Sequence, residues 1–224
     1  MFSRKTWMDL SFGVLIVAAF LSSVPQILRS LVDIHGISVA RNGSFTLFMV
    51  LNLWLARDAY RELRATGYIA KINERRLVIQ QLITYGTWVA LSVTMTFAVL
   101  SNHAYRWSIQ DTLICITTGS AAIGIVTYGA LRKVSLQDAM SKALLAVSFK
   151  SIPQLFFTWM VLAYGASGVP GITILVVHFT IGLRVLQIFS MNTGRVRNWL
   201  FVSEGSNWAT WSFLTIAWLC KSYT

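Results

Sequence analysis

The chain has 224 residues, 55% of them hydrophobic and only 12% charged, with a mean hydropathy of +0.61. A water-soluble domain of this length needs far more charge to cover its surface, so composition excludes one. The formal net charge of +11 would point to nucleic acid in a soluble protein; in so hydrophobic a chain it marks loops facing the cytoplasm and anionic lipid, and no nucleic-acid partner is expected.

Crossing the hydrocarbon core as a helix takes roughly 20 predominantly apolar residues. Residues 10–28 form the first such segment. Arg4 and Lys5 ahead of it give it the outline of a signal peptide, but it matches a later internal segment and is expected to stay as a span. Residues 44–60 are a second, weaker span, rich in Leu, Phe and Trp. The stretch 57–76 holds Arg57, Arg61, Arg64, Lys71, Arg75 and Arg76 beside Asp58, Glu62 and Glu74, and reads as a water-facing amphipathic connector. Residues 77–100 and 112–130 are the third and fourth spans; the fourth carries Thr117-Thr118-Gly119-Ser120-Ala121-Ala122, small residues that permit close helix packing. Residues 143–164 and 172–191 follow, and 207–222 is a shorter seventh, accommodated by snorkelling ends or local thinning of the bilayer. Cys115 and Cys220 lie inside spans without metal-ligand spacing or a disulfide framework, which predicts packing roles.

The segments repeat. Ala19-Phe20-Leu21-Ser22-Ser23-Val24-Pro25-Gln26 aligns with Val147-Ser148-Phe149-Lys150-Ser151-Ile152-Pro153-Gln154. Further on, His35-Gly36-Ile37-Ser38 answers Tyr164-Gly165-Ala166-Ser167 after a one-residue insertion. Thr84-Tyr85-Gly86-Thr87-Trp88 answers Asn207-Trp208-Ala209-Thr210-Trp211. The expected fold is an all-α membrane protein of seven transmembrane helices, with three-helix repeats at 1–101 and 136–224 joined by a linker helix at 102–135. An odd linker starts the second unit on the same side as the first, so the repeats are parallel about an axis along the membrane normal.

Proline removes a backbone donor and disrupts the preceding turn, freeing the carbonyl of Leu21 at Pro25 and of Phe149 at Pro153. In lipid those groups need partners within the protein or a wet cavity. Gln26, Gln154, Ser23 and Ser151 stand beside them, which makes Pro25, Gln26, Pro153 and Gln154 a pair of expected hinges.

Val24-Pro25-Gln26-Ile27 and Ile152-Pro153-Gln154-Leu155, the downstream Gly-x-Ser triplets and Leu53-Trp54-Leu55 resemble the PQ-loop family, which includes the SWEET sugar transporters. The resemblance covers essentially the whole chain through short motifs. It implies movement of small solutes by alternating access, and a substrate-binding role for Asn207, whose counterpart in the first repeat is Thr84. The chain departs from the family in having only three prolines, Pro25, Pro153 and Pro170. The matched aromatics Trp88 and Trp211, and Tyr85 and Trp208, are candidates to line the same pocket, against a competing role in interface anchoring or packing.

Lys150 and Arg184 are basic residues within spans. Lys150 stands where the first repeat has Ser22 and is a candidate contact for an anionic group, whereas Arg184 reads as a snorkelling side chain and His178 as a hydrogen-bonded packing residue. No acidic residue falls in the middle of an expected span, which favours a facilitator over a proton-coupled carrier. Basic residues divide 12 to 4 between the two sides, Arg29, Arg41, Arg106 and Lys221 forming the smaller set. The positive-inside rule then puts the N-terminus in the cytoplasm, in a bacterial-type inner or plasma membrane, opposite to the usual description of the sugar transporters.

The function expected is transport of a small polar solute, a sugar or a vitamin- or nucleoside-like metabolite. An amino acid or organic anion recognised by Lys150 is the alternative substrate, and a receptor or scaffold that moves nothing is the alternative class. The expected partners are the solute, the bilayer and, as an open matter, further copies of the chain. No cofactor or metal is expected. With no nucleophile–base pair or phosphate-binding loop, and His35, His103 and His178 far apart, neither is an enzyme.

Overall fold

The computed structural model describes residues 4–35, 37–65, 72–189 and 194–222, with side chains from Asp9 in the first helix and from Arg75 in the third. Gly36, Lys71 and Met191, and the side chains of Arg4, Lys5 and Glu74, lie outside the described residues. Seven helices make up the described chain: α1 (Arg4–Val32), α2 (Val39–Ala65), α3 (Ile72–Ser101), α4 (Ile109–Arg132), α5 (Ala139–Tyr164), α6 (Gly171–Phe189) and α7 (Arg195–Ser222). Five of them, α1, α3, α4, α5 and α6, are long and apolar enough to cross a membrane. Four of the five stronger spans read from the sequence lie wholly within them; the span expected at 172–191 is described as far as Phe189, in α6. With 27 and 28 residues, α2 and α7 are as long as the others. Their apolar signal is weaker because Asn42 and Ser44 in α2, and Ser203, Glu204, Asn207 and Thr210 in α7, are polar residues turned inward.

Local chemistry sets several boundaries. Ser108 caps α4 through a reciprocal box with Asp111. The helix ends at Lys133, whose left-handed backbone (φ 53°) returns its N–H to Ala130. Asp138 caps α5 by accepting the Met140 N–H at 2.9 Å. Inside α5, residues Val147–Ser151 widen into a π turn in which the Ile152 N–H reaches the Val147 carbonyl. Pro153 follows one residue on; its ring crowds the Phe149 carbonyl and it offers no N–H, which favours a widened turn ahead of it. Pro25, by contrast, sits within an uninterrupted α-helix. The two Pro-Gln sites therefore differ locally where the sequence suggested a matched pair of bends. Past Tyr164 the chain turns at Gly165, whose φ of +96° suits a residue without Cβ.

In packing, α3 lies against both α1 and α2, and α7 against both α5 and α6. The remaining helix, α4, packs on α2 and α5, while α1 meets α6 and α2 meets α5. One apolar cluster joins α5, α6 and α7 through Phe157, Val161, Ile174, Ile181, Trp211 and Leu214. Another joins Phe48 and Met49 of α2 to Leu145 and Ala146 of α5, with Tyr85 and Trp88 of α3 against it. Large apolar side chains such as Phe97, Ile123, Leu175 and Leu186 remain exposed on the outside, the surface a lipid solvent requires. Cys115 and Cys220 also lie on that surface, so the packing roles expected for them do not hold. Each sits on an outward-facing turn of its helix, a distinction hydropathy alone does not make.

Asp111 ties α4 to the start of α2. Fully buried, it accepts Ser38 Oγ at 2.6 Å, the Ala40 N–H at 3.1 Å, the Tyr105 hydroxyl at 3.0 Å and Ser108 Oγ at 2.8 Å. Removing the acceptor strands several buried donors together. Asp111→Ala is expected to cost about 2–4 kcal/mol, read as a fall in the unfolding temperature of the detergent-purified protein. A variant as stable as the parent would contradict this.

Candidate functional site

Between the α1–α3 and α5–α7 groups lies a cavity of about 120 Å3. Gln26 from α1, Arg41 and Asn42 from α2, Trp88 from α3, Lys150 and Gln154 from α5, Arg184 from α6, and Asn207 and Trp211 from α7 all line it. A wider groove of about 440 Å3 between α1 and α3 is a surface feature by comparison. Its acid, Asp9, is already held by Arg76 at 2.6 Å and Gln80 at 2.9 Å.

At one end of the cavity, hydrogen bonds run between the two groups of helices. Gln26 Nε2 donates to the Gly168 carbonyl at 2.9 Å, Arg29 Nε to the Ser167 carbonyl at 2.8 Å, and the Gly168 N–H to the His35 carbonyl at 3.2 Å. Thr173 Oγ1 donates to the Ser22 carbonyl at 2.9 Å, one turn ahead of Pro25. Asp33 braces this corner, 3.3 Å from Arg29 and 2.7 Å from the His35 ring. Burial pushes the Asp33 carboxyl up, but hydrogen bonds from His35 and Ser167, with the His35 charge, hold it below its ordinary value.

Arg41 closes the same end from α2. Its Nε and Nη2 both donate to Gln154 Oε1, at 3.1 and 2.9 Å, and Nη1 donates to Asn42 Oδ1 at 3.3 Å. The guanidinium also lies 4.8 Å from the Phe157 ring centre and 5.4 Å from that of Trp211, within cation–π range. Counting Arg41 among the outer loop charges is thus corrected: α2 begins at Val39, five residues before the expected span, and brings Arg41 into the bundle.

Elsewhere along the cavity, Lys150 Nζ and Arg184 Nη1 meet Glu204 Oε1 at 3.6 and 3.3 Å. The side chain of Lys150 is 8% exposed and that of Glu204 12%. Three expectations change with this cluster. A buried acid does stand within a long helix, because α7 starts at Arg195 rather than near Asn207; the argument for a facilitator from missing acids loses its premise. Arg184 is part of an ion cluster rather than a simple snorkelling residue. Lys150 has an acidic partner of its own. Two signals in the sequence could have revealed Glu204: it lies one turn before Asn207 on the same helix face, and two cations in apolar spans require a counter-charge.

Of the residues expected to bind substrate, Lys150, Asn207, Trp88 and Trp211 come together around the cavity with Gln26 and Gln154. Thr84, Tyr85 and Trp208 are not among its lining residues. Thr84 Oγ1 bonds back to the Gln80 carbonyl at 2.8 Å, Tyr85 packs beside the α2–α5 cluster, and Trp208 is 55% exposed on the bundle surface. The matching positions of Tyr85 and Trp208 therefore do not make a second aromatic pair in the pocket. Neither proline lines it; Pro153 is fully buried and Pro25 partly so. His178 bonds Thr215 at 2.7 Å, consistent with the packing role read from sequence.

Fold and site together define a helical membrane protein with a small, cation-rich internal cavity. No family model, curated protein or solved structure matches the chain.

Proposed function

We propose that this chain is a membrane transporter that carries a small polar solute through the central cavity by alternating access. The two halves of the mechanism are α1–α3 and α5–α7, parallel repeats joined by α4, as the Pro-Gln resemblance implies. The observation that carries the reading is the reciprocal reach of the two motif glutamines. Gln26 bonds the loop before α6, and Gln154 bonds Arg41 at the start of α2, so each half is tied to the other at the cavity's end. The middle position of α3 within one group and α7 within the other supports the same symmetry.

Opening that end requires exchanging these few polar bonds for solvent or solute, a modest cost because each is worth about 1 kcal/mol net. Thr173, whose hydroxyl bonds the Ser22 carbonyl in the turn ahead of Pro25, offers a partner to that backbone as the halves move. The excess of basic residues on one side gives this reading a cytoplasmic N-terminus. Flux of a panel of labelled polar metabolites into liposomes holding the purified chain tests the proposal. At least one solute should enter above empty vesicles, and Asn207→Ala and Trp211→Ala should each slow it roughly tenfold, the loss of about 1.4 kcal/mol of contact. Background flux for the whole panel from folded protein, or full rates in both variants, would defeat the reading.

A further inference from the structure

At the Arg41 end of the cavity, Asn42 and Gln154, both bonded to the guanidinium, leave two donors without acceptors. Arg41 forms no ion pair with an acid among the described residues; its hydrogen bonds end on the amide oxygens of Gln154 and Asn42. With those oxygens turned to the guanidinium, the amide nitrogens face elsewhere. Asn42 Nδ2 and Gln154 Nε2 are buried without a hydrogen-bond partner, on residues 3% and 1% exposed. The orientation is forced by chemistry: reversing either amide would set donor against donor. All three residues line the cavity. The two residues that hold this positive charge thus each keep an unused NH2 group, in a chain that otherwise pairs its buried polar atoms widely.

The other charged residues of the cavity lean the same way. Lys150 and Arg184 share one carboxylate, Glu204. With Arg41, three cations line the space against that single acid. A neutral sugar brings donors as well as acceptors and no charge, so it answers this surplus poorly. An ionised carboxylate is acceptor-only, carries the missing charge and fits an arginine fork.

We infer that the cavity binds a small organic carboxylate, with the acid group seated among Arg41, Asn42 Nδ2 and Gln154 Nε2 and the body of the molecule against Trp88 and Trp211. Only the movement of the bound acid rests on the transporter reading; the binding does not. Arg41 belongs to α2 and Gln154 to α5, so an acid that takes over the guanidinium replaces a bond across the seam with a bridge through the ligand.

The test uses the purified full chain and four acids, acetate, lactate, succinate and benzoate, each beside its amide, with glucose as the neutral control. At millimolar concentration at least one acid should raise the unfolding temperature, and its amide should bind about tenfold more weakly or worse. Arg41→Gln should remove the preference for acid over amide. Asn42→Asp guards against a simple folding defect, because it gives Arg41 a carboxylate from the chain itself. That variant should be at least as stable as the parent without ligand and should lose its response to acids. Equal binding of acids and amides, no response to any acid, or a full acid response in Asn42→Asp would each overturn the inference. Liposome flux separates the two readings. Acids that bind while no solute of the panel is moved leave the site standing and end the transporter reading; flux of glucose or an amide without acid preference does the reverse.

Discussion

Replacing Glu204 with alanine is expected to be the most damaging single change in the bundle, costing about 3–5 kcal/mol. The carboxylate stands 3.6 Å from Lys150 and 3.3 Å from Arg184, and the Lys150 side chain is only 8% exposed. Deleting the acid leaves two neighbouring cations in a low-dielectric interior with nothing between them. The penalty comes less from the lost attraction than from the stranded charges, and that distinction is measurable. Adding Lys150→Met to Glu204→Ala removes one stranded charge and should recover a substantial part of the loss. A cycle through the single and double variants, followed by thermal unfolding in detergent, reads the coupling directly. If Glu204→Ala unfolds within about 1 °C of the parent, or if Lys150→Met deepens the loss, the ion cluster is not what holds these helices together.

The second large effect is expected at Gly168. A Cβ placed there would lie 2.5 Å from the His35 carbonyl oxygen and 3.1 Å from both the Asp33 carbonyl and the His35 nitrogen. All three obstacles are backbone, so no side chain can swing aside. Gly168→Ala must push the turn before α6 away from the turn after α1, and with it go the bonds from Gln26 and Arg29. The cavity should then become reachable from that end. A cysteine at Ser23, a buried cavity residue, reports this once the exposed Cys115 and Cys220 have been changed to serine. Its labelling by a membrane-impermeant thiol reagent should rise by about tenfold or more, the response to a shift of about 1.4 kcal/mol toward the open state. Unchanged labelling in a folded Gly168→Ala protein would mean that the close approach does not seal the cavity.

The long apolar helices were legible because hydropathy measures what lipid demands of a helix surface. The same measure misplaced the ends of α2 and α7. Arg41, Asn42 and Glu204 lowered the local average, and the expected spans began at 44 and 207, whereas the helices begin at Val39 and Arg195. The residues lost from the reading are those that face inward and carry the cavity's charge. Matched positions proved informative where the residue lies on an inward face, as for Gln26 with Gln154 and Trp88 with Trp211. They misled for Trp208, one position round the helix from Asn207 and directed outward. Neighbours in sequence are about 100° apart on a helix, so a shared motif does not make a shared pocket.

The widened turn at Val147–Ser151 has a geometric consequence for comparing α5 with α1. Such a turn accommodates one surplus residue without lengthening the helix by a full step. Upstream of it, every side chain of α5 is rotated by about one position, near 100°, from the direction a regular helix carrying the same Pro-Gln pair would give it. Phase is kept on the Gln154 side and offset on the Ala143 side, so residues matched one for one between the two sequences do not share an orientation there.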